Sequence, residues 1–193
     1  HNYRKALYLD SDLAVLRDVA ELYRLDMKEN RIAAVVDYMA VIKRRKLCND
    51  FVLALKGKKW QEYFNSGVLL FNVGKIDGGD FLDKNLKFIC LFHGKFKYHD
   101  QDVLNALHSD DVLLLDSKWN MLYNVVRRRT GGRKPTRENA YVIHYASGLK
   151  PWNSRNLAYG DVWLEYAQKT PFYEDILKNI ETCEAKKNNG TRK

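Results

Sequence analysis

Apolar positions along this chain fall into short, dense runs separated by polar turns. KALYLD (5–10), RIAAVVDY (31–38), GVLLFNV (67–73), DVLLLD (111–116) and AYVIHYAS (140–147) are nearly continuous, the pattern of strands covered on both faces. LAVLRDVAELYRLD (13–26) predicts a strand passing into a short helix, and residues 40–63 read as helical around DFVLALKG. Helical spacing returns at Phe81, Leu82, Leu86, Ile89 and Cys90, and again in DQDVLNALHS (100–109), where Asp100 stands near the N-terminus to cap free amides. Asn65, Ser66 and Gly67 sit at the entrance of the GVLLFNV run. RRRTGGRKPTREN (127–139) predicts a loop. Residues 161–180 are interrupted by Pro171 and predict two helical pieces. Strands alternate with helices, so the expected class is α/β with a mixed sheet.

Composition narrows this further. The 193 residues suit one domain with a tail, expected as 1–180 and a basic, disordered 181–193. At 46% hydrophobic and 30% charged, the chain is globular rather than disordered. A net charge of +9, concentrated at 42–46, 56–59, 127–137 and 186–193, favours an anionic partner. Nucleic acid is not expected, because the aromatics are not interleaved with the basic runs as a stacking platform requires. Cys48, Cys90 and Cys183 show no CxxC spacing, which fits a reducing, cytoplasmic setting. No apolar run approaches the ~18 residues a membrane span needs. The first residue is His1, so a piece of a longer protein or a processed product is expected.

Four stretches carry chemistry. In YLDSD, Asp10 and Asp12 flank Ser11; on one face of a strand, two carboxylates repel each other, and a divalent cation relieves that repulsion while gaining oxygen ligands. Capping of the following helix accounts for the same residues equally simply. In VIHYASGLKPW, His144 closes a buried strand, either as a packed core residue or as a ligand. Gly148 permits close backbone approach, Lys150 offers a compact positive charge for phosphate, and Trp152 anchors the turn. Asn65 and Ser66 suit sugar hydroxyls or a strand-entry turn. In HDQDVLN, capping explains one acid but not the glutamine between Asp100 and Asp102.

Taken together, the order and spacing of these stretches resemble glycosyltransferase family 8, the retaining sugar-nucleotide enzymes of the glycogenin and bacterial lipopolysaccharide galactosyl- and glucosyltransferase group. The resemblance runs from about Tyr3 to Trp152, and HYASGLKPW is its most specific part. It implies a GT-A-like mixed sheet flanked by helices. It further implies that Asp10, Asp12 and His144 hold Mn²⁺ (or Mg²⁺) against the diphosphate of a UDP-sugar, with Lys150 and the backbone at Gly148 gripping that diphosphate. Asn65 and Ser66 would then hold the donor sugar, and Asp100 and Gln101 would stand near the anomeric carbon. Family members carry a long segment before the DxD strand that supplies the first strands and the uridine pocket. Those nucleotide-binding strands are expected to be missing from this chain or supplied by a second one, so the Asp10 strand is expected to lack neighbours and to expose a sheet edge prone to self-association.

Two functional expectations follow. One is a metal-dependent retaining hexosyltransferase that moves glucose or galactose from UDP-glucose or UDP-galactose to a glycan acceptor such as a lipopolysaccharide core, with basic segments docking on an anionic membrane face. The other is a catalytically impaired remnant acting as a glycan- or partner-binding module.

Overall fold

The computed structural model describes residues 3–39, 49–56, 62–123 and 137–190. The basic runs at 42–46, 57–59 and 127–136 lie outside the described residues, as does Cys48.

Two sheets organise the molecule. The first has the order β1–β4–β3–β5, built from β1 (Ala6–Leu9), β3 (Ile32–Val36), β4 (Phe64–Phe71) and β5 (Val112–Leu115). β4 runs antiparallel to both β1 and β3, and β5 runs parallel to β3, so the sheet is mixed as expected. β1 does not lack neighbours: it pairs with β4 along its whole length, Ala6 with Phe71 through Leu9 with Val68. Its other edge is the rim of the described sheet. The second sheet has the order β2–β7–β6, from β2 (Leu13–Val15), β6 (Met121–Leu122) and β7 (Val142–His144).

The continuous run of β3 is explained by burial on both faces. Ile32 and Ala34 point with Phe64, Leu69 and Leu104 toward α4 (His99–His108) and α3 (Gly78–Leu91). Ala33 points with Leu70 and Met27 to the opposite side. Val35 and Val68 of the first sheet meet Val142 of the second and Leu22 of α1 (Ala20–Tyr23). That cluster is the seam between the sheets. The far face of the second sheet packs Ala14, Met121, Ile143 and Tyr145 on Val162 of α5 (Gly160–Ala167).

Local chemistry sets the helix limits. Asp77 caps α3 by accepting from the Gly79 and Asp80 amides at 3.0 and 3.3 Å. At α4 the N-cap residue, Tyr98, makes no side-chain cap, and the carboxylate that reaches back to the chain before the helix is Asp102 rather than Asp100. It is fully buried and accepts from the Lys97 and Tyr98 amides (2.5 and 2.8 Å), the Tyr63 hydroxyl (2.5 Å) and the Asn49 amide (2.8 Å). α2 (Asp50–Lys56) packs against this helix. Burial and the Asp102 carboxylate hold the Tyr63 hydroxyl far above its ordinary pKa. The helix ends after α5 and a new one, α6 (Tyr173–Gly190), begins past Pro171, the two pieces expected there.

Residues 181–190, expected as disordered tail, are helical. Ile180 of α6 is buried, Asn179 donates to the Trp152 carbonyl at 2.7 Å, and Glu184 accepts from the Arg155 amide at 2.9 Å. These contacts secure the helix against the turn that follows β7. No helix among the described residues is long and apolar enough to cross a membrane.

Candidate active site

Asp10 and Asp12 do not lie on one face of one strand. β1 ends at Leu9 and β2 begins at Leu13, so the two acids sit on the turn that carries the chain from one sheet to the other. The Asp10 amide donates to the Gly67 carbonyl of β4 (2.9 Å), while the Asp12 carbonyl accepts from the Tyr145 amide just beyond β7 (3.0 Å). One aspartate therefore belongs to the last rung of the first sheet, and the other to the first rung of the second. Their side chains converge on His144, which stands opposite Leu13 in β7. Its Nε2 lies 3.2 Å from Asp12 Oδ1 and 3.5 Å from Asp10 Oδ2.

One ligand atom from each of the three residues lies within 4.8 Å of the others. Two hard oxygens and one imidazole nitrogen on such a scale fit a divalent cation of the Mn²⁺ or Mg²⁺ type. Lys150 Nζ donates to Asp12 Oδ2 and to the Tyr145 carbonyl, the latter at 2.8 Å. Burial alone would raise the Asp12 pKa. Hydrogen bonds from His144 and Lys150 outweigh it and hold the carboxyl well below the usual range. The Tyr8 hydroxyl donates to Asp10 Oδ1 at 2.7 Å and is pushed up to about 12, chiefly by that bond.

His144 is almost wholly buried, and Gly67 makes room for it. A Cβ on Gly67 would lie 2.2 Å from His144 Cε1 and 2.6 Å from Nδ1. The β3–β4 register shifts between Ala34 and Val35, whose β4 partners are Leu69 and Asn65, so residues 66–68 have no rung on β3. Asn65, Ser66 and Gly67 thus lie inside β4 rather than at its entrance, and the irregularity turns them toward the site. On its far side, His144 Nδ1 meets Asn120 Oδ1 at 2.8 Å, and the Asn120 amide donates to Asn65 Oδ1 at 2.8 Å. Asn65 donates to Gln101 Oε1 at 3.0 Å, and Gln101 Nε2 donates to Asp37 Oδ2 at 3.2 Å.

A cleft of about 650 Å³ opens over these groups. Asp10, Asp12, Asn65, Ser66, Gln101, His144 and Lys150 all line it. Asp100 and Gly148 do not. Asp100 is exposed on the first turn of α4, and its charge contributes to the raised pKa of Tyr8. Gly148 is exposed, and a Cβ there would meet nothing within 4 Å.

The sequence model of the family described as Glycosyl transferase family 8 matches residues 1–156. The chain belongs to glycosyl transferase family 8. It is 30% identical over 178 residues to General stress protein A of Bacillus subtilis (strain 168), covering 86% of this chain and 59% of that protein. It is 28% identical over 180 residues to the lipopolysaccharide 1,2-glucosyltransferase of Escherichia coli (strain K12), covering 91% of this chain and 49% of that protein. The chain thus spans about half the length of these curated relatives. The galactosyltransferase LgtC, solved in complex with donor and acceptor sugar analogs, superposes with a TM-score of 0.70 at 27% identity, over 89% of this chain and 63% of LgtC. The WbbM bifunctional glycosyltransferase superposes at 0.75 over 92% of this chain and 35% of WbbM; at 23% identity it attests the GT-A-like fold alone.

Against the family 8 pattern, the structure adds residues that the sequence reading passed over. Asp37 lines the cleft, although it closes an apolar run and reads locally as a strand end. Lys97, Tyr98 and His99 line it too, and His99 starts α4 with φ 43°, a backbone conformation that a non-glycine residue rarely adopts. Asn120 was legible in principle: in KWNMLY it stands between Trp119 and Met121, both buried, and a polar residue there demands partners.

Proposed function

We propose that this family 8 protein is a retaining hexosyltransferase that moves glucose or galactose from a UDP-sugar to a glycan acceptor. The observation that carries the reading is the convergence of Asp10 and Asp12, from the turn between the sheets, with His144 of β7 at the rim of the cleft. Held there, Mn²⁺ or Mg²⁺ would supply Lewis-acid neutralisation of the charge that develops on a diphosphate leaving group. Lys150, beside Asp12, places an ammonium for the same diphosphate. Asn65 and Ser66 present amide and hydroxyl groups to the donor sugar.

Gln101 holds rather than attacks. Its Oε1 accepts from Asn65 Nδ2 and, at 3.2 Å, from the Ser66 amide, its Nε2 is engaged by Asp37, and an uncharged amide is a weak nucleophile. Asp100, on the same helix turn, is assigned to the acceptor side. The acceptor class follows the E. coli relative's name, a lipopolysaccharide core or a similar glycan. A net charge of +9 suits peripheral docking of a cytoplasmic enzyme on an anionic membrane.

The test is hydrolysis or transfer of UDP-glucose and UDP-galactose by the full-length protein. Turnover is expected to require Mn²⁺ and to vanish in Asp12→Ala; metal-independent turnover overturns the proposal. Calorimetry with UDP and Mn²⁺ separates it from a glycan- or partner-binding remnant. Micromolar binding, about −8 kcal/mol, supports the transferase.

A further inference from the structure

We infer that Asn120 is a positioning residue that imposes one protonation pattern on His144, and that this pattern originates in two backbone amides of β4. The inference rests on the metal reading above for its purpose, though not for its geometry.

The argument runs through hydrogen-bond polarity. A backbone N–H can only donate. The Gly67 amide donates to one side-chain oxygen of Asn65 at 2.9 Å, and the Ser66 amide donates to Gln101 Oε1 at 3.2 Å. These two bonds fix which end of each amide is oxygen. Asn65 must then present Oδ1 to Asn120 and Nδ2 to Gln101, and Gln101 must present Nε2 to Asp37, where an acceptor stands. Asn120 must donate to Asn65 from Nδ2, which leaves its Oδ1 toward His144. An amide oxygen only accepts, so Nδ1 of His144 carries the hydrogen.

The consequence falls on Nε2. With Nδ1 committed as a donor, Nε2 is the ring atom left to exchange a proton for a cation, and it is the atom that faces Asp10 and Asp12. A histidine with the opposite tautomer would aim N–H permanently at the two carboxylates and could not ligate through Nε2. Asn120 plays the part that a carboxylate or carbonyl behind a metal-binding histidine commonly plays. Unlike a carbonyl, it is wired to Asn65 on the sugar-facing wall. Neither Asn65 nor Asn120 can flip without unpairing a buried group, since both are buried.

The test is nitrogen NMR of His144 in the metal-free, full-length protein, which reads whether Nδ1 carries a hydrogen. A hydrogen on Nδ1 is expected, donated to Asn120 Oδ1. An Nδ1 without a hydrogen overturns the inference directly, without any variant. Mn²⁺ titration of Asn120→Leu and Asn120→Asp supplies the second arm. Asn120→Leu is expected to bind Mn²⁺ about 10- to 100-fold more weakly, whereas Asn120→Asp, which keeps an acceptor behind Nδ1, recovers most of that loss. Equal weakening in both variants, or in neither, counts against a positioning role. If the wild-type protein shows the Nδ1–H form but binds no Mn²⁺, the metal reading fails while the wiring of His144 stands.

Discussion

Replacing Gly67 with alanine tests the geometry of the site most sharply. The added Cβ would lie 2.2 Å from His144 Cε1, 2.6 Å from Nδ1 and 3.0 Å from Asn65 Oδ1. Carbon atoms rest at about 3.5–4.0 Å, so the ring must retreat by more than about 1 Å. Such a retreat disturbs the 2.8 Å contact with Asn120 and moves Nε2 relative to both aspartates. Overpacking of this kind costs about 1–3 kcal/mol, and loss of the hydrogen bond adds about 1 kcal/mol. Gly67→Ala should therefore be less stable in urea by about 2–4 kcal/mol and bind Mn²⁺ at least about tenfold more weakly. Gly78→Ala is the control, because a Cβ at that position meets nothing within 4 Å. If the two alanine variants match each other in both stability and Mn²⁺ affinity, the imidazole does not lie against β4 and the site as described is wrong.

Three other outcomes follow from particular contacts. Lys150→Gln removes the ammonium that shares Asp12 with any cation; Mn²⁺ alone should then bind at least as tightly, while UDP with Mn²⁺ weakens by roughly 10- to 100-fold, and parallel loss of both ligands would refute the separation of roles. Asp102→Ala strands the four donors that its carboxylate receives; chemical denaturation should show a loss above about 3 kcal/mol, and a loss below about 1 kcal/mol would mean that water replaces it. Tyr8 is held protonated by Asp10 to about 12, so its contribution to stability is complete below the ordinary tyrosine pKa near 10 and disappears as pH climbs from there through about 12. Asp10→Asn should return the Tyr8 titration, followed by ring-carbon NMR, toward 10; an unchanged curve would place the cause elsewhere.

Sequence pattern made some of this visible and hid the rest for physical reasons. β3 and the Val68–Phe71 part of β4 announce themselves because burial leaves no polar interruptions in the run. β6 is two residues long and, among the described residues, paired with β7 alone, too short to impress a period on the sequence. YLDSD and HYASGLKPW were recognisable because chemistry restricts which side chains can stand at those positions. That Asp10 and Asp12 belong to different sheets was not readable, since the crossing happens within a three-residue turn whose local pattern equally fits a continuing strand. The end of the chain misled for the opposite reason: residues 181–190 look like a solvated basic tail, but buried Ile180 and the contacts of α6 with Trp152 and Arg155 hold the helix in place. Asn120 and Asp37 lie outside any motif; their importance comes from partners distant in sequence, which only the folded chain brings near.

The placement of the aspartate turn at the seam has a thermodynamic consequence. Asp10 is hydrogen-bonded into one sheet, and Asp12 and His144 into the other, so whatever grips all three side chains straddles the junction like a rivet. Its affinity is then inseparable from the docking energy of the two sheets, and every tenfold excess of ligand over its dissociation constant adds about 1.4 kcal/mol of cohesion to the whole. Discharge of the ligand loosens the same joint, so loading and release double as tightening and slackening of the fold.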